Sequence, residues 1–205
     1  MRVDEGLRRE IVAAVGAVEK SSAAEVVVTV VPRSALHWDV ALGAALAAVF
    51  LVQAVAVAFF EDTSALHVAL DAAVVGLLAV ALVRSLPALE RFLLPGRVAA
   101  RRVEAGAESA FCRQGIFRTR AHTGLLLYLS LLERRAVLLP DDQVARALPA
   151  EALASLRAQT AALFAQPDPR AALLALLDHL RRRGAQHLPA AADDANELPD
   201  APVTG

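Results

Sequence analysis

Residues Val40 to Phe60 read VALGAALAAVFLVQAVAVAFF, a run without a charge in which Gln53 is the one polar side chain. At 1.5 Å of rise per residue it makes about 31 Å of helix, matching a hydrocarbon core of roughly 30 Å. A helix in a soluble core rarely stays apolar on every side for so long, so the run predicts a membrane-spanning helix. A second run, Ala65 to Val83, is interrupted by His67 and Asp71. An Asp at a helix centre costs about 2.5–3.5 kcal/mol on insertion scales, but Asp71 lies nearer one end. Only Glu61 to Ser64 separate the two runs, which predicts a tight antiparallel hairpin and a transmembrane segment over residues 34–86.

Composition agrees. The chain of 205 residues is 57% hydrophobic and 21% charged, with a mean hydropathy of +0.48. Soluble domains run near 45–50% apolar and about 25% charged, so a disordered chain is excluded and a purely soluble globule disfavoured. A net charge of −1 and 4% aromatic residues argue against nucleic acid as a partner. The single cysteine, Cys112, excludes an internal disulfide and a CxxC zinc site.

Orientation follows from arginine. The loop EDTS has no Lys or Arg, whereas Arg33 precedes the first run and Arg84, Arg91, Arg97, Arg101 and Arg102 follow the second. The positive-inside rule then predicts an inner-membrane protein with both ends cytoplasmic. The charged start MRVDEGLRRE is unlike a signal peptide, and a lone thiol suits a reducing compartment. His37 and Trp38 read as interface anchors. With the hairpin apex near Asp62 or Thr63, Gln53 and Asp71 stand at nearly one depth, differing by roughly 3 Å. They are expected to hydrogen-bond across the hairpin, against the alternative that Asp71 snorkels outward. The spacings Gly43-Ala47 and Ala44-Ala48 are expected to let the helices approach closely.

The flanking sequence predicts one α/β unit split by this hairpin, a small mixed sheet flanked by helices. Leu7, Ile11, Val12, Val15 and Val18 have helical spacing, and Glu25 to Val31 is a β-branched run typical of a strand covered on both faces. Arg97 to Arg113 is a helix, with Gly115 beyond its end. Leu125 to Leu132 and Ala136 to Leu139 form a hairpin across Glu133-Arg134-Arg135, where charges belong at a solvated tip. The first strand, the helix and the next strand make a parallel βαβ unit. Asp141 or Asp142 caps a helix, two more helices cover Glu151–Ala165 and Asp168–Arg183, and residues 189–205 are a disordered acidic tail. The soluble parts are thus residues 1–33 and 87–188.

Several stretches together resemble the TPM domain family, named for the thylakoid lumen protein of photosystem II repair and its bacterial relatives. They are Ser22 to Val28, Phe111 to Gly115, Thr123 to Ser130, Glu133-Arg134-Arg135 and Pro140-Asp141. The resemblance covers the first 33 residues and residues 98–188. It implies a mixed sheet flanked by helices, and it raises calcium binding and a weak acid phosphatase activity. This chain departs from many relatives in splitting the domain around a membrane hairpin.

For a phosphatase, Arg118, Arg120 and His122 would hold phosphoryl oxygens at the mouth of the second strand. They are read without a nucleophile motif such as Cys-x5-Arg or DxDx(T/V) beside them, and the favoured alternative is a solvated basic loop near anionic headgroups. Asp141 and Asp142 would form a cation site only with help from Glu25 or Glu133, because calcium takes six to eight oxygens. Asp193, Asp194 and Glu197 form a further acidic cluster in the tail. Walker A, GxSxG, HExxH and GxGxxG patterns are absent. The expected function is a binding or maintenance module for membrane proteins, with the lipid bilayer as one partner and homo-oligomerisation open. A membrane-tethered phosphatase-like hydrolase is the alternative.

Overall fold

Helix α1 (Glu5–Ser21) starts where Asp4 accepts a hydrogen bond from the Leu7 N–H at 2.7 Å. Leu7, Ile11, Val15 and Val18 form its one buried stripe. The chain then enters β1 (Glu25–Val31), whose side chains are buried along six of its seven positions. A strand with both faces covered needs neighbours on both edges, and β1 has them. These coordinates are a computed structural model that describes residues 3–59, 64–190, 198 and 201–204.

Residues up to Ser34 and from Ala100 onward form one compact unit, and Ala35–Ala99 a second. The second unit holds two long helices, α2 (Trp38–Phe59) and α3 (Ala65–Ser85), packed side by side. Both are long and apolar enough to cross a membrane, with mean hydropathies of 2.4 and 2.3. Most of their large side chains face outward; Phe50 is 77% exposed and Leu77 72%. Leu86 takes an extended conformation before Pro87, which ends α3 and opens α4 (Pro87–Leu93). Helix α4 is absent from the sequence expectation. It belongs with the hairpin, so the boundary expected at residue 86 moves to Ala99.

Helix α5 (Gly96–Arg113) leads back to the sheet through Gly115, whose φ of +67° suits glycine. Strand β2 (Gly124–Ser130) pairs parallel with β1 from Glu25↔Gly124 to Val31↔Ser130. Strand β3 (Arg135–Pro140) returns antiparallel to β2. Asp141 caps the short α6 (Asp142–Ala147), and α7 (Ala150–Ala162) follows. Asp168 caps α8 (Pro169–His187), with Pro169 preset for the first turn.

The tail expected to be disordered is partly structured. Val203 and Thr204 form β4, parallel to β1, giving a sheet in the order β3-β2-β1-β4. The β-branched pair at its end supplies an edge strand, a signal too short to recognise in sequence. Asp193, Asp194 and Glu197 lie outside the described residues.

The sheet has a core on each face. Val26, Val28, Val30, Leu125, Leu127 and Leu129 meet α1, α7 and α8, while Val27, Leu126 and Tyr128 meet Val103, Ala107 and Ala110 of α5. Helices α1 and α8 are also joined outside the core. The Arg170 guanidinium donates to both Glu10 oxygens at 2.8 and 2.9 Å, which holds the Glu10 carboxyl below its usual range.

On α8, the Arg183 Nε donates to His179 Nε2 at 3.2 Å, and His179 Nδ1 lies 3.0 Å from Gln159 Oε1. Burial, then Arg183 and Arg182, pull the His179 pKa below its ordinary 6.5. A lowered histidine pKa means that the unfolded chain binds the proton more readily. Stability therefore falls as pH drops through about 6.5 toward the folded value. His179→Gln should flatten the dependence of the thermal midpoint on pH between about 7 and 5, which melts followed by circular dichroism at each pH will check.

Candidate functional site

The basic loop is built by a tight turn. Ile116–Arg118 form a 3-10 turn after Gly115, and the His122 N–H donates to the Thr119 carbonyl at 3.1 Å. His122 itself sits at φ +54°, its carbonyl accepting from the Gln143 N–H. This geometry brings His122 Nδ1 to 3.3 Å from Asp141 Oδ2, joining two residues that the sequence treats separately. Arg118 instead lies over the Phe117 ring, 5.4 Å from its centroid, and both Arg118 and Arg120 are exposed.

Their place in the sheet is also a correction. Because Glu25 pairs with Gly124, the loop ending at Thr123 lies at the amino ends of the two parallel strands. Ligands in such sheets gather at the carboxyl ends, so the expected mouth of the second strand is the wrong end for this loop. The expectation that no Cys-x5-Arg spacing accompanies this loop is also corrected, because Cys112 and Arg118 have that separation. It is the separation of a thiol phosphatase motif, but Cys112 lies in the last turn of α5, at the negative end of the helix dipole. Nucleophilic thiolates are favoured at helix N-termini, the opposite end.

The proposed cation partners are separated too. Glu25 Oε2 accepts from the Leu198 N–H at 3.3 Å. Glu133 follows the carboxyl end of β2, a strand length of roughly 20 Å from Asp141. Asp141 Oδ1 is used by the Asp142 N–H as the cap of α6. Among the described residues no group of three or more His, Cys, Asp or Glu is placed to hold a metal ion.

At the carboxyl ends of the parallel strands the structure builds something the sequence reading missed. Glu133, expected at a solvated tip, is buried at 6% exposure. The Ser130 hydroxyl donates to its Oε2 in a short hydrogen bond, and the Ser34 N–H donates to Oε1 at 3.0 Å. Beside them the Leu131 and Leu132 N–H groups donate to the carbonyls of Val31 and Pro32. Arg134, at φ +50°, reaches the Phe164 carbonyl at 2.8 Å. Tyr128 approaches α5 so closely that a Cβ on Gly106 would lie 2.8 Å from its hydroxyl. The signal was available: Ser130 is the only non-aromatic polar residue in LLLYLSLL, with Glu133 three positions on. A buried hydroxyl needs a partner.

Glu133 therefore ties the segment leaving β1 to the β2–β3 turn. Glu133→Ala should lower stability by about 2–4 kcal/mol, since it strands a buried O–H and a partly buried N–H without acceptors. Glu133→Gln, which keeps an acceptor oxygen, should cost clearly less. Denaturant midpoints of the detergent-purified protein will show the ranking, and equal losses would contradict this role.

Within the hairpin, the Gln53 side-chain amide donates to the Val68 carbonyl at 2.9 Å. The expected Gln53–Asp71 bond is thus not the one formed. Around α3, position 71 is rotated roughly 60° from position 68, and Asp71 is exposed. Ala41 and Ala45 are buried, whereas Gly43 has no atom near its missing Cβ; Gly76 instead approaches Val49. Trp38 is half exposed with the Arg84 guanidinium 4.4 Å over its ring, but His37 is fully buried and is not an interface anchor.

No protein-family model matches the chain, and no curated protein sequence matches it. A solved structure does: the NMR structure of the BA42 protein from the psychrophilic bacterium Bizionia argentinensis, at 14% identity and a TM-score of 0.60. The match covers 100% of this chain and 97% of that one, and at this identity it establishes a similar fold alone.

Proposed function

We propose that the chain is an integral membrane protein whose TPM-like α/β unit faces the cytoplasm and serves as a binding or maintenance module for other membrane proteins. The observation that carries this is the exposed apolar surface of α2 and α3, helices inserted between β1 and its partner β2. A contiguous apolar surface of that size is costly in water and ordinary in lipid. The arginine-free EDTS loop supports an outside position for the hairpin apex and an inner position for both ends. The hydrolase alternative loses support because the basic loop lies at the amino end of β2, away from where ligands gather in parallel sheets.

Photocrosslinking in native membranes, from a reactive residue at exposed positions of the α/β unit, tests the proposal. Reproducible crosslinks to membrane proteins are expected, with no phosphate release above background, with or without calcium. An absence of crosslinks, or turnover that disappears in Arg118→Ala, would overturn it.

A further inference from the structure

We propose that the open edge of β3 is a docking groove for an extended basic segment of a partner protein, which adds to the sheet as a further strand. This names the surface of the binding module and rests on that reading. Strand β3 ends the sheet order. The Asp141 N–H bonds the Gly124 carbonyl, so Leu139, Val137 and Arg135 are the residues that exchange hydrogen bonds with β2. The N–H and C=O groups of Ala136 and Leu138 then point to the open edge. Neither N–H has a hydrogen-bond partner among the described residues. Unpaired edges of this kind are templates for strand addition.

The edge lies in a slot rather than on a bare surface. A cleft of about 420 Å³ runs along Arg135 to Leu139, with Val103, Glu104 and Glu108 of α5 on one side and Arg157 of α7 on the other. Val137 and Leu139 are half-buried toward α5, and an added strand would cover them.

Arg135 and Arg157 also line the cleft, but on its α5 side the charge is negative and selects the occupant. Glu104 and Glu108 are exposed and, among the described residues, without an ion-pair partner. They stand about 6 Å apart along the helix, close to the roughly 6.7 Å between alternate residues of a strand. Helix α5 returns from the carboxyl end of β1 to the amino end of β2 and so runs along β3. Basic side chains at alternate positions of an added strand therefore meet both carboxylates. A second copy is disfavoured. Antiparallel β3–β3 pairing in a continuous sheet places both α5 helices on one face, carboxylates against carboxylates.

The test uses the full chain in detergent with three short capped peptides: alternating Val and Arg, alternating Val and Glu, and the Val–Arg peptide N-methylated at alternate residues. Titration gives affinity, and hydrogen exchange reads the Ala136 and Leu138 amides. The Val–Arg peptide is expected to bind and slow exchange at both amides, with the Val–Glu and N-methylated forms weaker by about tenfold or more. The double variant Glu104→Arg, Glu108→Arg should reverse the ranking of the two charge types. Absence of binding, binding that leaves both amides unchanged, or an unaltered ranking in the variant would overturn the proposal. Concentration-dependent protection of the same amides without peptide would assign the edge to a second copy and also overturn it. Peptide failure with membrane-protein crosslinks intact removes the groove alone, whereas loss of those crosslinks removes the binding-module function and the groove with it.

Discussion

Residues 100–190 expressed without the first 34 residues are expected to show no cooperative melting and to aggregate. Strand β1 lies inside the sheet, between β2 and β4, so its loss exposes a hydrogen-bonding edge along the whole of β2. The same segment supplies Leu7, Ile11, Val15, Val18, Val26, Val28 and Val30 to the larger core. Each such side chain contributes about 1.5–3 kcal/mol on burial, so together they match or outweigh the roughly 5–15 kcal/mol by which a typical domain is stable. Supplying residues 1–34 as a separate chain should restore some cooperative structure, because the missing strand and helix carry complementary surfaces. A monomeric fragment that melts cooperatively alone, followed by circular dichroism and sedimentation, would contradict this.

The second large effect concerns Leu46 and Leu77, both 72% exposed on the long apolar helices. Arginine near the centre of a spanning helix costs about 2.5–3.5 kcal/mol on insertion scales. The double variant Leu46→Arg, Leu77→Arg should therefore shift the membrane–water partition by a factor on the order of 10⁴. The sign of the outcome separates two physical situations. If these side chains face lipid, the variant leaves the membrane fraction and is degraded or aggregates. If they face water, replacing exposed leucines with arginines raises solubility and leaves the protein where it was. Carbonate extraction of membranes from cells expressing each form reads the difference.

Much of the fold is legible in the sequence because its strongest signals are local. An uncharged run of membrane-spanning length, a β-branched run closed by a proline, and an Asp before α6 and α8 each fix their own element. The strand Glu25–Val31 coincides with β1 to the residue, and its nearly continuous β-branched character already suited a parallel sheet. What could not be read depends on contacts between distant positions. Val203 and Thr204 become a strand only because β1 offers an edge, and Glu133 becomes buried only because Ser34, 99 residues earlier, donates to it. Gln53 illustrates the limit within the hairpin. Its depth was readable from rise per residue, but its partner depended on rotation about two helix axes, and the nearest acceptor was the Val68 carbonyl. The basic loop was misplaced for a similar reason. Arg118, Arg120 and His122 precede β2, and their end of the sheet follows from strand direction, which places them at its amino end.

Cysteine accessibility tests the membrane topology most directly. Cys112 is exposed and is the chain's single cysteine, while Ser64 opens α3 beside the expected outer loop. An impermeant maleimide applied to spheroplasts of a bacterial expression host should label Ser64→Cys in a Cys112→Ala background before lysis. The unaltered protein should be labelled at Cys112 only after lysis. Labelling of Cys112 in intact spheroplasts, or of Ser64→Cys only after they are opened, would contradict a hairpin that crosses the membrane with the α/β unit inside.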